Sequence, residues 1–257
     1  MPFDSKGTRV PTVRLLGLDF ADLSLGGVLG WLSARPKDAA FGYVVTPNAD
    51  HLVRLRRHAA LQPLYDGAVL RLLDSRVVAR VARACGLPAP EVVPGSDLTA
   101  HLVRDAIDPA EPVNILGMDS SAVAGLAQRW NLQRVAHHNP PMGFEHDPAA
   151  MEQAIRFIEE NPARFTFLAV GSPRQCRVAH AVAARGKAKG TGLCIGASLL
   201  FLSGHERRAP RPVQQAGLEW AWRLAQDPRR LARRYLVDSP AVLRLLREEA
   251  QARRQPA

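Results

Sequence analysis

A carboxylate placed where a strand gives way to a helix can take a proton from a hydroxyl, and Leu70-Arg71-Leu72-Leu73-Asp74-Ser75 offers one. Asp74 follows the last residue of an apolar run. Its other reading is the N-cap of a helix opening near Ser75. Asp66-Gly67, eight residues earlier, is a turn dipeptide that precedes the same run. Thr46-Pro47-Asn48 ends an earlier apolar run and brings a hydroxyl and an amide, suited either to a polar ligand or to capping the next helix. Gly171-Ser172-Pro173-Arg174-Gln175 follows a third run. A small-residue turn that opens a helix can present N–H groups to a phosphate or sugar, and Gln175 adds an amide that both donates and accepts. Farther on, Arg223, Arg230 and Arg233 would share one helix face, were it not for the break at Pro228. They can either meet a phosphate or simply face solvent.

Other chemistries fit poorly. Gly190-x-Gly192-x-x-x-Gly196 lacks dinucleotide-fingerprint spacing and runs through an expected strand. His137-His138 and Glu145-His146-Asp147 match no standard metal spacing and read as solvated loop residues. The chain contains no Asp-x-Asp pair to hold a cation on a diphosphate. If the chain handles a nucleotide diphosphate, arginines would have to supply that counter-charge, and neither a metal nor a cofactor is then expected.

The elements that must position these groups follow a β-then-α rhythm. Apolar runs at 13–18, 41–46, 68–73, 113–117, 133–137, 165–170 and 192–196 alternate with helical periodicity near 48–60, 75–85, 119–130, 148–160 and 174–185. This predicts an α/β, mostly parallel sheet with helices on both faces and ligands at the carboxyl ends of its strands. Beyond it, Asp227-Pro228 and Ser239-Pro240 each read as an N-cap followed by proline at the first helical position. They divide the tail into helices expected at 211–225, 228–237 and 240–254. The stripe Val242, Leu243, Leu245 and Leu246, beside Arg244 and Arg247, suits either docking on the chain's own domain or an anionic lipid surface.

Charge sets the tail apart. The 257 residues carry a net charge of +10, and residues 207–257, with twelve arginines, no lysine and five acids, hold +7 of it. The expected organisation is therefore an α/β domain over 1–205 and a basic helical appendage over 206–257, with anionic partners. Nucleic acid is the weaker choice among these. The tail matches no DNA-binding motif and has no aromatics beyond Trp220, Trp222 and Tyr235. Three scattered cysteines, Cys85, Cys176 and Cys194, fit a reducing cytoplasm. No signal-peptide pattern opens the chain, and no window reaches the roughly 20 apolar residues that span a bilayer.

Three segments together carry a family resemblance: Gly-Ser-Pro-Arg-Gln at 171–175, Ser-Gly-His-Glu-Arg-Arg-Ala-Pro at 203–210, and Gly-Leu-Glu-Trp-Ala-Trp-Arg-Leu at 217–224. From about Leu15 to Leu236 the chain resembles the WecG/TagA/CpsF glycosyltransferases. The resemblance implies a Rossmann-like core of the GT-E type, without a metal. It also implies a C-terminal appendage that completes the site and touches the membrane. The implied activity is inverting transfer from a UDP-sugar to a polyprenyl-diphosphate-linked sugar during bacterial cell-surface polysaccharide synthesis. The implied location is peripheral, on the inner face of the plasma membrane. By register, the family's general base falls on Asp74. Its Thr-x-Asn falls on Thr46 and Asn48, its glutamine on Gln175, and its basic motif on Arg223, Arg230 and Arg233. Ser75 replaces a glycine, Val92 an arginine and Cys176 a glutamate, which leaves room for an altered substrate or a silent enzyme. Donor identity and self-association stay open.

Overall fold

Short β-branched and aromatic runs, bounded by glycine and proline, build the sheet of the computed structural model, which describes residues 10–205, 208–232, 235–236 and 239–254. The first run does not form one strand. It folds back as an antiparallel hairpin of β1 (Thr12–Leu15) and β2 (Leu18–Ala21). The two linking residues both take positive φ, Leu16 at 48° and Gly17 at 83°, as a tight hairpin turn with the twist of its strands requires.

Six further strands form one parallel sheet: β3 (Gly42–Val45), β4 (Leu70–Arg71), β5 (Val113–Leu116), β6 (Val135–His138), β7 (Phe165–Leu168) and β8 (Thr191–Cys194). Their spatial order is β4-β3-β8-β7-β5-β6. β3, β5, β7 and β8 are buried along their whole length, which is why they read as mainly apolar runs without a polar face. His137 and His138, expected in a loop, lie on edge strand β6. Among the described residues no group of three or more His, Cys, Asp or Glu side chains is arranged around a common point.

Helices Ala49–Arg57, Gln62–Asp66, Pro148–Glu160 and Arg174–Arg185 cover one face. Leu25–Ala34, Gly95–His101, Ser120–Arg129 and Ser198–Ser203 cover the other. Leu25–Ala34 has no counterpart in the sequence reading. Its glycines at 26, 27 and 30 weaken helix propensity. Ser24 starts the helix by accepting from the Gly27 N–H, and Val28, Trp31 and Leu32 bury against the sheet.

The tail is more broken than its spacing suggested. Helix Arg211–Gln215 stops at Gly217, which takes φ 77°, and helices Glu219–Gln226 and Pro228–Ala232 follow. The last helix, Ala241–Arg254, is a core element. Val242, Leu245 and Leu246 bury in the same cluster as the sheet, and the helix packs on Ala49–Arg57 and Arg76–Ala84. Its Glu249 accepts from the Leu16 N–H at 2.7 Å, and its Arg253 donates to the Arg14 carbonyl at 2.8 Å. Among the described residues, no helix is long and apolar enough to cross a membrane.

Candidate active site

The loops leaving β3 and β7 run to helices on one face, whereas the loop leaving β8 runs to Ser198–Ser203 on the other. Diverging connections open a crevice at the carboxyl ends of the strands, where open α/β sheets collect their ligands. Thr46, Asn48, Asp74 and Gln175 gather at this rim.

Asp74 lies just beyond β4. Its backbone N–H donates to the Pro47 carbonyl at 2.9 Å, which ties it to the Thr46-Pro47-Asn48 loop. The neighbouring Leu73 carbonyl accepts from the Val93 N–H at 3.0 Å. The capping alternative for Asp74 is settled by its neighbour. Ser75 is the N-cap of helix Arg76–Ala84 and accepts from the Val78 N–H at 3.2 Å. The Asp74 carboxylate is thereby left for other work.

That carboxylate is half-buried and accepts a hydrogen bond from the Gly95 N–H. Burial, followed by repulsion from Glu219, lifts its pKa from 3.8 to about 7; Asp97 adds to the rise, while the Gly95 N–H and Arg223 oppose it. A carboxyl that titrates near neutrality is suited to accepting a proton in a transition state. Gly95 has a steric reason to be glycine, because an added Cβ would stand 2.9 Å from Thr46 Oγ1.

Thr46 is buried, and its hydroxyl donates to the Cys194 carbonyl at the end of β8 over 3.4 Å. Asn48 caps helix Ala49–Arg57: its Oδ1 accepts from the His51 N–H at 3.4 Å, and its own N–H donates to His51 Nδ1 at 3.3 Å. Gln175, in the first turn of Arg174–Arg185, is buried, and its Oε1 accepts from the Gly196 N–H at 2.9 Å. It thus fixes the turn after β8 from the loop after β7. Ser172, in that loop, is held from below by Arg54, which donates to its carbonyl at 3.0 Å.

The tail closes the arrangement. Arg223, on Glu219–Gln226, stacks over Phe201 with its guanidinium carbon 5.5 Å from the ring centroid, and acts on the Asp74 charge. Arg80 donates to the Ala216 carbonyl at 2.6 Å, docking the tail on helix Arg76–Ala84. Arg230 has its backbone in Pro228–Ala232, but its side chain, like the whole of Arg233, lies outside the described residues. Thr46, Asn48 and Asp74 therefore meet through the Pro47 loop, Gln175 joins them through β8, and Arg223 reaches them from the tail.

Sequence reasoning missed Gly95, Asp97, Arg208 and Glu219. Asp97 and Gly95 sit in the Gly-Ser-Asp-Leu turn, which served only to set the register. Arg208 and Glu219 sit in the segments that carried the resemblance. Two departures also have a place in the fold. Val92 pairs with Leu73 as an isolated parallel bridge and packs partly buried against the core. Cys176 is buried, and its thiol hydrogen-bonds with that of Cys194, whose pKa is driven well up, chiefly by burial.

A parallel α/β sheet with a carboxyl of raised proton affinity at its rim and an arginine from the tail holds side chains suited to group transfer. The glycosyl transferase WecG/TagA/CpsF family model matches residues 13–256, and the chain belongs to that family. It is a glycosyltransferase, of a family that works in cell-surface polysaccharide synthesis and joins a sugar donor to an acceptor.

Proposed function

We propose that the chain transfers a sugar, with inversion and without a metal, from a UDP-sugar to a polyprenyl-diphosphate-linked sugar at the inner face of a bacterial plasma membrane. The observation that carries this reading is Asp74, a rim carboxylate whose proton affinity lies near neutrality beside a tail arginine. As the acceptor hydroxyl attacks the anomeric carbon, its proton passes to Asp74 and the bond to the departing UDP breaks on the opposite face. The sugar passes through an oxocarbenium-like state. Negative charge grows on the diphosphate, and Arg223, with Arg230 and Arg233, would stabilise it, each well-placed donor contributing roughly 3 kcal/mol. Thr46, Asn48 and Gln175 would orient the two sugars.

The membrane part of the reading is supported by the tail's surface. Leu218, Trp220 and Leu236 are exposed by 47%, 36% and 59%, and three of the four large exposed hydrophobics among the described residues belong to this one region. The Trp220 and Tyr235 rings stand 6.2 Å apart, an aromatic pair suited to the headgroup zone beside an arginine-rich chain. Such a tail would confine the complete site to the surface that holds the acceptor.

The test is a donor screen with a short-chain lipid-diphosphate-sugar acceptor, run with and without a chelator. Transfer with inverted anomeric configuration that resists the chelator is the expected outcome. Bound UDP without transfer from any donor would point instead to a silent member of the family, the reading favoured by Val92 in place of an arginine. Binding to anionic liposomes should weaken in Trp220→Ala and Leu236→Ser.

A further inference from the structure

The tail brings Arg223 to Asp74, and besides the Arg80 contacts one more guanidinium, that of Arg208, holds it there. Arg208 Nη2 stands 2.7 Å from Asp97 Oδ1, and its Nε stands 3.8 Å from Glu219 Oε1. All three side chains are mostly covered, with exposures of 22%, 24% and 27%. Asp97 lies in the first turn of Gly95–His101, two residues from the N–H that binds Asp74. Glu219 opens the helix that carries Arg223 one turn later. The bridge thus joins the element supporting the carboxylate to the element delivering the cation. Arg208 Nε and Nη2 make no hydrogen bond among the described residues, so the bridge is held by charge. Arg76, 4.0 Å from Asp97, adds a second cation on the same side.

We propose that Arg208 is a positioning residue, a clasp that seats helix Glu219–Gln226 over the Asp74 rim by linking Asp97 to Glu219. The clasp does not touch the reacting atoms, and its effect on transfer rests on the reading of Asp74 as the base. The charged groups acting on Asp74 are Glu219 and Arg223 from the tail helix and Asp97 from Gly95–His101, together with the Gly95 N–H. Docking therefore brings both Glu219, which raises the proton affinity of Asp74, and Arg223, which lowers it by less. Release of the tail returns Asp74 toward the ordinary carboxylate range, where it is a weaker base. The enzyme would be a competent base only with its tail in place.

The experiment uses the full chain, with Arg208→Ala, Arg208→Lys and the isosteric Glu219→Gln. Timed trypsin cleavage at the tail arginines reads seating without any substrate, and the pH profile of kcat/KM reads the coupling. Arg208→Ala and Glu219→Gln should be cleaved in the tail roughly fivefold faster. Both should move the acid limb of the profile below its position near pH 7, with a lower plateau, and Arg208→Lys should recover part of each effect. Added salt should speed tail cleavage in the unaltered protein more than in Arg208→Ala. Unchanged cleavage in both variants overturns the clasp. Faster cleavage with an unmoved acid limb overturns its coupling to Asp74. If the unaltered protein transfers no sugar, the proposed function fails on its own; the clasp is then decided by cleavage alone, which supports it if faster and overturns it if unchanged.

Discussion

Asp74→Asn should stabilise the fold while removing transfer, and the size of the gain follows from the site. The folded protein lifts the Asp74 pKa from 3.8 to about 7, mainly by burial and by the nearby Glu219. Each unit corresponds to about 1.4 kcal/mol, so roughly three units set an upper bound near 4 kcal/mol on what the folded state loses by holding this carboxylate ionised. Water reaches the half-buried group, so about 2 kcal/mol is the expected share. The sign follows from the direction of the shift. A carboxyl with a raised folded pKa contributes stability that is complete below about pH 4 and lost as pH rises through about 7. The asparagine oxygen can still accept from the Gly95 N–H. Differential scanning calorimetry should therefore show Asp74→Asn melting about 4–8 °C above the unaltered protein at pH 8. The gap should close toward pH 4, and transfer should fall by about a hundredfold or more at every pH. A melting gap equal at pH 4 and pH 8, or a variant less stable at pH 8, would refute the idea that the site holds this carboxylate against its own ionisation.

Three further outcomes test the supporting structure. Leu246→Ala removes a fully buried side chain from the last helix and should cost about 2–4 kcal/mol in chemical denaturation, marking that helix as core and not as a detachable membrane anchor. Asn48→Ala should cost about 1 kcal/mol through its lost cap, whereas Asn48→Asp keeps the cap; a rise in KM in Asn48→Asp at unchanged stability would isolate contact with a sugar. Gln175→Leu leaves the Gly196 N–H without its acceptor and should cost about 1–3 kcal/mol in denaturation and also slow transfer.

The sequence alone determined the alternation of strand and helix, because β3, β5, β7 and β8 are buried on both sides and show as mainly apolar runs. It also placed Asp74 and Thr46 at strand ends and Gln175 past the turn after another, since a buried apolar run has a visible last residue. It could not show that the first run turns back on itself at Leu16-Gly17. The type of turn depends on two positive φ angles, and a leucine does not announce one of them. Nor could it decide between a cap and a free carboxylate at Asp74. That was settled by the serine beside it, which took the capping bond. The stripe at Val242 to Leu246 was equally suited to lipid and to protein, and only the groove left between Ala49–Arg57 and Arg76–Ala84 made it core. Above all, Gly95, Asp97, Arg208 and Glu219 lie up to 124 residues apart along the chain. The effect of Gly95, Asp97 and Glu219 on Asp74 arises from distance and burial in three dimensions. Local sequence encodes element type and element ends, whereas the proton affinity of a rim carboxylate depends on whichever charges and cover the finished fold sets around it.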